Sequence, residues 1–465
     1  MMSIKRKQEI QVKIEKVAFG GKGIAHLDNF VIFIKDTLPG DVINARIVKK
    51  KKNYAEANLL EICSPSPYRI SPPCPYFNWC GGCTWQNLEY RDQLKMKHEH
   101  VIESITHISG INSAVVLPPI PADKIWGYRN KMEFSFSDHR WFLPDELGNP
   151  NLDRSFVLGL HVPGTYNKII NIDRCMLQSE TANRILRLVF DYSKRNNLSA
   201  YNLKTHEGFL RFLVIRESFC SGELMVNIVT AYENKESLIS LAEYVMDRIP
   251  EITSFINTVN ERKAQIASGD TQKVIAGNEF ITDKLFDLSF KISANSFFQT
   301  NTAQAEKLYR TVLQFCEPKT NEIIWDLYCG TGTISIFLAR HVKLVIGFEL
   351  IESSLQDAVQ NVTTHSIDNI RFIAGDLVQM IQQRPEAPDT MVLDPPRSGV
   401  HPSVTQTLNR LKTRKIIYVS CNPATMARDI QLLAENYNLI KVQPVDMFPH
   451  TYHIESVALL ERKNK

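Results

Sequence analysis

The chain has 465 residues, of which 44% are hydrophobic and 22% are charged. That length exceeds what one hydrophobic core normally organises, so we expect two or three domains. The composition is that of an ordinary globular protein and excludes the disordered and fibrous classes. No apolar run approaches the roughly 18–20 residues that cross a bilayer, and the basic start lacks an apolar signal core. We therefore expect neither a membrane protein nor a secreted one, but a cytoplasmic protein.

The net charge of +4 is unevenly distributed along the chain. Residues 1–62 contain 12 Lys and Arg against 7 Asp and Glu, whereas the remainder is nearly neutral. A small basic segment joined to a neutral body favours a polyanionic partner, most simply a nucleic acid. The run of four lysines at 49–52, taken alone, is equally compatible with a solvated lysine face.

The basic segment has the pattern of short β-strands. Ile10, Val12 and Ile14 alternate with polar residues, and apolar stretches at 30–34 and 42–48 are separated by glycine-containing turns. Several short strands within about 60 residues predict a small barrel of the oligonucleotide-binding type. The proline-rich stretch that follows marks the boundary of this domain.

The cysteines do not form a disulfide framework, because a cytoplasmic compartment keeps thiols reduced. Cys74, Cys80 and Cys83 form a C-x5-C-x2-C group in a turn-rich stretch, with Cys63 upstream and Cys175 far downstream. This uneven clustering singles out the group as a candidate ligand set.

The middle of the chain predicts mixed helices and strands. Apolar periodicity predicts helices over 84–108 and 179–196, and strands over 156–162, 209–215 and 224–230. The segment between the barrel and residue 290 therefore has an α+β pattern.

From residue 291 onward strands alternate with helices, which predicts a parallel, doubly wound sheet. Strands are predicted at 322–327, 344–348, 370–373, 390–393 and 416–420, with an antiparallel closing pair at 439–447 and 456–460. Ligands of such sheets bind beyond the carboxyl ends of the strands. The residues that follow each strand are therefore the candidates for a site.

The first of these strands runs into residues 326–333, with the sequence DLYCGTGT. This is not the G-x-G-x-x-G of a dinucleotide enzyme, because the third glycine is missing. Glu349 follows the second strand, and an acid about 20 residues past a glycine loop can accept hydrogen bonds from ribose hydroxyls. Asp376, after the third strand, is placed to meet an adenine. S-adenosylmethionine, a nucleoside cofactor without pyrophosphate, fits this pattern; the alternative is a plain tight turn.

The fourth and fifth strands end in residues of catalytic character. Asp394 is followed by two prolines, which form a rigid turn and present the carboxylate at the sheet edge. Cys421 ends the fifth strand and a helix follows at once, so the helix N-terminus is expected to lower the thiol pKa. Taken alone, Cys421 fits a small packed residue. Its position beside the Asp394 loop favours a nucleophile.

A thiol nucleophile explains how an unreactive carbon can be methylated. C5 of uracil has no usable lone pair, but thiolate attack at C6 makes C5 enolate-like and able to take a methyl group. A general base must then remove the C5 proton before the enzyme is released. The closing strand pair offers Glu455 for this role, with His450 and His453 as competitors.

Together these motifs resemble the uracil-C5 RNA methyltransferases, in particular the bacterial 23S ribosomal RNA branch with an N-terminal TRAM domain and a [4Fe–4S] cluster. The resemblance runs nearly from end to end. Beside the basic barrel, it rests on the cysteine group at 74–83 and on 128–131, 296–301, 326–332, 394–399, 420–423 and 450–455.

The resemblance implies a multidomain α/β architecture. Residues 1–62 would form an OB-like TRAM β-barrel that binds RNA, and 63–290 a central α+β RNA-binding domain with the iron–sulfur site. Residues 291–465 would form a Rossmann-like class I methyltransferase domain, on which the helix at 84–108 could pack.

The resemblance also implies roles for single residues. Cys421 would be the nucleophile that attacks C6, Glu455 the base that takes the C5 proton, and Phe297 a stacking surface for nucleobases. The implied cofactor-binding positions are Gln299, Tyr328, Glu349 and Asp394, with more variable contacts from Thr333 and Asp376.

The four implied cluster ligands are Cys74, Cys80, Cys83 and Cys175. Four cysteines without histidine suit a [4Fe–4S] cluster, although zinc is also compatible. Their spacing is not that of radical enzymes, so we interpret the cluster as structural or RNA-positioning. Cys63 has no counterpart in the family.

The implied function is methylation of C5 of a uridine in 23S rRNA with S-adenosylmethionine, by a monomeric enzyme. Two alternatives remain from the residues alone. The first is the same reaction on the T-loop uridine of tRNA, and the second is a non-catalytic RNA-binding protein with the same fold. The intact set of Asp394, Cys421 and Glu455 argues against the second alternative.

Overall fold

The structure, a computed structural model, describes residues 4–269, 271–383 and 387–463. Its strands form an N-terminal barrel, a central sheet and a C-terminal sheet with helices on both faces. This is the predicted fold class, a mixed α/β protein with an OB-like barrel and a Rossmann-like C-terminal part. Within the described ranges, no helix combines the length and the apolar character needed to cross a lipid bilayer.

The N-terminal barrel is closed by a bent first strand. Its strands are β1 (Glu9–Lys13), β2 (Lys16–Val17), β3 (Gly23–Leu27), β4 (Phe30–Ile34), β5 (Val42–Lys50) and β6 (Tyr54–Ser64). They are hydrogen-bonded in the order β1-β5-β6-β4-β3-β2, and Glu15 N–H donates to the Ile24 carbonyl to join the two ends. Ile10 and Val12 are buried between exposed neighbours, as the two-residue period predicts.

The segment after the barrel carries a helix with an unusual buried face. Helix α1 (Tyr90–Ser104) starts later than predicted, because the preceding residues form turns whose N–H groups bond elsewhere, and it continues as a short π-helical turn, Ile105–Ser109. Its buried residues include polar ones, among them Gln93 and Lys97. Strand β7 (Val115–Val116) then joins the edge of the C-terminal sheet.

The central part is a mixed sheet covered by two helices. Its strands, in the order β10-β9-β8-β11-β12-β13-β14, are β8 (Lys131–Ser137), β9 (Val157–His161), β10 (Ile169–Asn171), β11 (Leu210–Glu217), β12 (Leu224–Thr230), β13 (Ile252–Val259) and β14 (Thr271–Gly277). The helices are α2 (Glu180–Arg195) and α3 (Lys235–Met246), and a short 3₁₀ turn lies at Pro144–Glu146. A separate hairpin, β15 (Ile281–Leu285) with β16 (Leu288–Ile292), leads to the C-terminal part.

The C-terminal sheet has the order β19-β18-β17-β20-β21-β23-β22-β7. Its remaining strands are β17 (Ile323–Leu327), β18 (Leu344–Glu349), β19 (Ile370–Ala374), β20 (Thr390–Leu393), β21 (Lys415–Ser420), β22 (Tyr437–Val445) and β23 (Glu455–Arg462). The strands from β17 to β21 are parallel, and β23 is antiparallel to β21. The chain order reverses at β17, between β18 and β20, and this is where such sheets bind ligands.

Helices cover both faces of this sheet. They are α4 (Thr302–Cys316), α5 (Thr333–Ala339), α6 (Glu352–Thr364), α7 (Leu377–Gln382), α8 (Pro402–Arg410) and α9 (Pro423–Leu433). Helices α4, α5 and α6 pack on one face, while α7, α8 and α9 pack on the other. Val101 and Ile105 from the α1 region belong to this second core. Helix α1, which lies in the segment before residue 290, therefore packs with the C-terminal sheet.

The five predicted parallel strands of the C-terminal sheet are all present, with ends that agree within one or two residues. The antiparallel closing pair and the predicted middle strands are also present. The long strand β6, the hairpin β15–β16 and the helices α3 and α4 had no sequence prediction. The domain boundaries at 62 and 290 stay predictions.

Candidate active site

A cavity of about 560 Å³ opens where the parallel strands of the C-terminal sheet end. It is lined by residues predicted from the sequence: Gln299, Tyr328, Thr333, Asp394, Cys421 and Glu455. Tyr328 directly follows β17, Asp394 follows β20 and Cys421 follows β21. Glu455 starts the antiparallel strand β23, so it comes to the same edge from the opposite direction.

The loop after β17 leaves open space beside its main chain. Gly330 lies in the cavity wall with a φ of +54°, and a Cβ added there would meet no atom within 4 Å. Gly332 has a φ of +76°, and a side chain there would collide with Phe372. Asp326, also in the wall, accepts from Ser335 Oγ at 2.5 Å, while its other buried oxygen has no hydrogen-bond partner in the described chain. An accessible loop backbone and a free buried acceptor fit a nucleoside cofactor.

Two predicted cofactor residues, Glu349 and Asp376, lie outside the cavity wall. The Glu349 carboxylate accepts from Gly330 N–H at 3.0 Å. It also accepts from the N–H groups of Leu350 and Ile351, at 2.8 and 2.9 Å. It is therefore tied directly to the glycine loop. Asp376 is exposed and accepts from Gln379 N–H at 3.1 Å as the N-cap of α7, a contact that needs no ligand.

Besides Asp326, whose pKa burial raises to about 7, two carboxyl groups of the wall have strongly raised pKa values. Burial, and then the charge of Asp394, raise the pKa of Glu455 to about 8. Burial raises the pKa of Asp394 to about 6. Because the two groups face one cavity and interact, they titrate as a coupled pair. The site can therefore hold and release a proton near neutral pH.

The thiol of Cys421 differs from the sequence prediction. Burial, followed by the charges of Glu455 and Asp394, raises its pKa to about 11, whereas the nearby helix alone predicts a lowered value. Helix α9 begins only at Pro423, and its first free N–H group is already capped by the Asn422 side chain. The helix N-terminus is thus occupied, and the thiol is protonated at neutral pH.

The two histidines that competed with Glu455 lie in different environments. His453 lines the cavity, and burial lowers its pKa to about 4, so it is a weak base. His450 is buried away from the cavity wall and stacks on Trp126 with ring centroids 3.7 Å apart. Of the three candidates, Glu455 combines a position in the wall with the highest proton affinity.

Two motifs that are distant in sequence meet beside the cavity. Asn130 N–H donates to the Thr300 carbonyl at 2.9 Å, and its side-chain amide donates to the Gln299 carbonyl at 2.8 Å. This contact sets Gln299 in the wall and leaves Phe297 at the rim, 67% exposed.

Arg129 and Arg397 also line the cavity, although the sequence assigned them no role. Both lie inside motifs that the sequence had already marked, at 128–131 and 394–399. The presence of an arginine in each of these motifs was the sequence signal that could have predicted both residues. Their positive charges are suited to contact an RNA phosphate.

The four predicted cluster ligands surround a second cavity, of about 410 Å³, which is lined by Cys74, Cys80, Cys83 and Cys175. Gly81 N–H donates to the His161 carbonyl at 3.0 Å and fixes the cysteine loop to β9. In the ranges that the structure describes, no three His, Cys, Asp or Glu residues are arranged as a ligand set for a metal ion. The thiols therefore share a cavity without forming a closed site. An all-sulfur donor set fits an iron–sulfur cluster or zinc.

A doubly wound parallel sheet with an acidic, glycine-containing loop after its first strand, and a cavity at the point where the strand order reverses, is the architecture of the Rossmann-like methyltransferases. The N-terminal barrel identifies a more particular group. Residues 5–60 match the model of the TRAM domain, and residues 166–463 match that of the tRNA (uracil-5-)-methyltransferases.

Similar proteins cover nearly the whole chain. An uncharacterised RNA methyltransferase of Chlorobaculum tepidum is 42% identical over 91% of this chain and 90% of its own length. Another from Bacteroides thetaiotaomicron is 39% identical over 96% of this chain and all of its own length. The crystal structure of the Pyrococcus abyssi tRNA (uracil-54, C5)-methyltransferase in complex with S-adenosyl-L-homocysteine matches 97% of this chain and 99% of its own, with a TM-score of 0.75 and 32% identity.

The chain belongs to the tRNA (uracil-5-)-methyltransferase family. It is an S-adenosylmethionine-dependent RNA (uracil-5-)-methyltransferase with an N-terminal TRAM domain. RNA is its substrate, and the predictions of enzyme class, methyl donor and TRAM domain are confirmed.

Proposed function

We propose that this enzyme methylates C5 of a uridine through a covalent bond between Cys421 and C6. The observation that carries the proposal is the meeting of Cys421, Asp394 and Glu455 in the wall of one cavity, which continues to the glycine loop. A thiol and two carboxyl groups are the set that activation of an unreactive pyrimidine carbon requires.

The first step is attack by the thiol. Because the pKa of Cys421 is about 11, sulfur must lose its proton as it approaches C6. Asp394, which lines the cavity and has a lower pKa than Glu455, is the acceptor available in the wall. Bonding of sulfur to C6 makes C5 nucleophilic. When bound, S-adenosylmethionine supplies the methyl group that C5 takes up.

The second step is removal of the C5 proton. Glu455 takes this proton, the C5–C6 double bond re-forms, and the C6–S bond breaks. The proton that Asp394 took from the thiol returns to sulfur, so the net products besides the methylated base are S-adenosylhomocysteine and one proton. A base with a pKa of about 8 suits this role, because catalytic groups work best when their pKa lies near the working pH.

For the cofactor we propose the positions that the family resemblance implies. Gln299, Tyr328 and Asp394 line the cavity, and Glu349 borders it through the glycine loop. Thr333 also lines it. Asp376 would have to exchange or share its capping contact with α7 to touch the nucleoside. We therefore expect its contribution to be the smallest.

We further propose that Cys74, Cys80, Cys83 and Cys175 hold a [4Fe–4S] cluster. Support comes from their common cavity and from the absence of nitrogen or oxygen ligands in the proposed set. Zinc is the competing occupant of the same thiols. The group would brace the cysteine loop against β9 and hold a surface for RNA.

As the target we propose a uridine in 23S rRNA, on the resemblance to that branch of the family. The uridine must be flipped out of a folded RNA, at an energetic cost of a few kcal/mol. Contacts from the basic TRAM barrel and the central part would offset that cost, and binding should weaken steeply with salt.

A tRNA uridine is the second candidate. It is favoured by the likeness to the Pyrococcus abyssi enzyme, which acts on uracil 54 of tRNA and covers nearly the whole chain. Mass mapping of 5-methyluridine in rRNA and tRNA from a deletion strain separates the two. Loss from 23S rRNA alone supports the first target, and loss from tRNA alone overturns it in favour of the second.

A further inference from the structure

The first five residues of the loop between β22 and β23 are held by donors from distant parts of the chain. Each backbone carbonyl from residue 446 to residue 450 accepts a hydrogen bond from outside the loop. The donors, in carbonyl order, are Gln304 Nε2 (2.8 Å), Asn301 Nδ2 (2.9 Å), Lys97 Nζ (3.0 Å), the Tyr128 hydroxyl (3.2 Å) and the N–H groups of Thr84 (2.9 Å) and Trp85 (3.0 Å). Such complete pairing fixes one backbone conformation for the loop.

A buried ion pair joins this loop to α1. Lys97 Nζ lies 2.6 Å from Asp446 Oδ1, and both side chains are fully buried. The other oxygen of Asp446 accepts from the Tyr90 hydroxyl at 2.9 Å, and Oδ1 also accepts from Phe448 N–H at 3.1 Å. A buried pair of this kind adds little net stability over apolar residues of similar size. The ion pair instead restricts α1 and the loop to one relative position.

Gln93 is the second contact from α1. Its Oε1 accepts from His450 N–H at 2.8 Å. Its Nε2 donates to the carbonyls of Trp85 and Leu88 at 3.0 and 2.9 Å and lies 3.2 Å from His450 Nδ1. His450 has a φ of +65°, a conformation that non-glycine residues rarely adopt, and the stacked Trp126 ring covers its side chain. Gln93 thus holds the loop at its most strained residue.

The far end of the same loop forms part of the active-site wall. Phe448, His453 and Glu455 all line the cavity, whereas Gln93, Lys97 and Asp446 do not. Because the loop runs from Asp446 directly to Glu455, its fixed conformation sets where the base enters the cavity. In the described part of the chain, the hydrogen bonds of Gln93 and Lys97 join α1 to this loop and not to the cavity wall itself, apart from the Phe448 carbonyl that Lys97 contacts.

From this geometry we propose that Gln93 and Lys97 are positioning residues for removal of the C5 proton. They orient Glu455 by fixing the loop from 446 to 453, and they touch neither the uracil nor the cofactor. The proposal rests on the proposed function, since it assumes that Glu455 is the base. It predicts that loss of either contact slows proton removal while thiol attack and methyl transfer continue.

The test uses full-length enzyme and transcripts of 23S rRNA and tRNA made with 5-fluorouridine or with uridine. Fluorine at C5 cannot be removed as a proton, so a covalent adduct persists after methyl transfer. Wild-type enzyme should form this adduct. If it forms none, the covalent function itself fails, and the positioning role with it.

The variants are Gln93→Met, and Lys97→Met combined with Asp446→Asn. The double variant removes both buried charges together, which avoids leaving one carboxylate unpaired. We expect adduct formation on fluorinated transcripts at the wild-type rate. On uridine transcripts we expect kcat to fall about tenfold, because misplacement weakens general-base catalysis. We expect KM to fall by the same factor and the adduct to accumulate, because the step that slows follows methyl transfer.

Val101→Ala is the matched control, because Val101 is a buried residue of α1 that packs on the C-terminal core. It should lower the melting temperature without changing kcat. If adduct formation and kcat instead fall by the same factor in the Gln93 and Lys97 variants, the two residues have a general structural role and the proposal is wrong. It is also wrong if both rates stay at the wild-type level in folded variants.

Discussion

Cys421 directly follows Ser420 and Glu455 directly precedes Ser456, and these two serines are the last residues paired between the antiparallel strands β21 and β23. Directly opposed residues of antiparallel strands point to the same face of a sheet. The register of one strand pair therefore brings the proposed nucleophile and the proposed base to one cavity wall. A slip of one residue would turn one of them away.

Replacing Cys421 by Ala should abolish methyl transfer while the protein stays folded and binds cofactor. The change removes the only atom that bonds to C6 in the proposed reaction but leaves the glycine loop and Glu349 in place. Incorporation of labelled methyl groups into RNA and calorimetric binding of S-adenosylhomocysteine measure the two properties. Cys220→Ala, at an exposed cysteine, is the control and should retain activity. Turnover by Cys421→Ala would remove the covalent scheme.

Replacing Glu455 by Gln should trap the enzyme on its RNA. Thiol attack and methyl transfer precede the step that needs Glu455, so both should still occur. The C5 proton then has no acceptor. We expect release of product to slow by about 10²–10⁴-fold. The adduct should appear as a slowly migrating band on a denaturing gel. Glu461→Gln, at an exposed position of the same strand, should turn over normally.

The two chemical steps should differ in their dependence on pH. The pKa of Glu455 is raised to about 8, so elimination should speed up as pH rises and level off above that value. Adduct formation should continue to rise, because the Cys421 thiol has a pKa of about 11. Single-turnover rates of the two steps, measured between about pH 6 and pH 9, test this. Parallel profiles would show that one group controls both steps.

The same shift makes a prediction for stability. A carboxyl group whose folded-state pKa is raised favours the folded protein while it is protonated, and this advantage is lost as pH rises through the folded value. For Glu455 the advantage is complete below its ordinary pKa of 4.5, decreases as pH rises above that value, and is lost once pH passes the folded-state pKa of about 8. Glu455→Gln resembles the protonated acid, so it should be more stable than wild type at alkaline pH and similar to it in acid. Thermal unfolding across this pH range measures the difference.

The C-terminal fold and most of the site could be predicted because both depend on local pattern. Alternating strands and helices fix a parallel sheet, and its strand ends then locate Tyr328, Asp394 and Cys421 without any knowledge of packing. The acid at the start of the closing strand followed from the same reasoning. The positions of side chains at strand ends follow from the sheet topology, and the alternation of strands and helices in the sequence predicts that topology.

What the sequence could not predict depends on contacts between distant residues. The pKa of Cys421 moves opposite to the expected direction because of burial and of two acids from other strands. Gln93 and His450 are 357 residues apart, and nothing in an amphipathic helix distinguishes a buried lysine such as Lys97 from a solvated one. Asp376 matched a cofactor position but caps a helix, a contact that only the backbone reveals.

Loss of a single cluster ligand should empty the proposed metal site. Anaerobically purified protein should be brown and contain iron and sulfide, and Cys83→Ser should lose both, because a missing thiolate opens the cluster. Cys63→Ser, at an exposed cysteine of the barrel, should keep them. Elemental analysis distinguishes the occupants. Stoichiometric zinc with neither iron nor sulfide would replace the cluster assignment by a zinc site.

Phe297 offers the clearest test of how RNA enters the site. Its ring is 67% exposed at the cavity rim, while its neighbour Phe298 is buried in the core, so the exposed ring is free to stack on an unpaired base. Stacking of a base on an aromatic ring contributes about 1–3 kcal/mol. We expect Phe297→Ala to raise KM for RNA about tenfold or more on that basis, with cofactor affinity unchanged. Tyr166→Ala is a control at a ring that is equally exposed but outside this cavity. Equal effects of the two variants on KM would mean that the rim ring has no special part in capturing the target base.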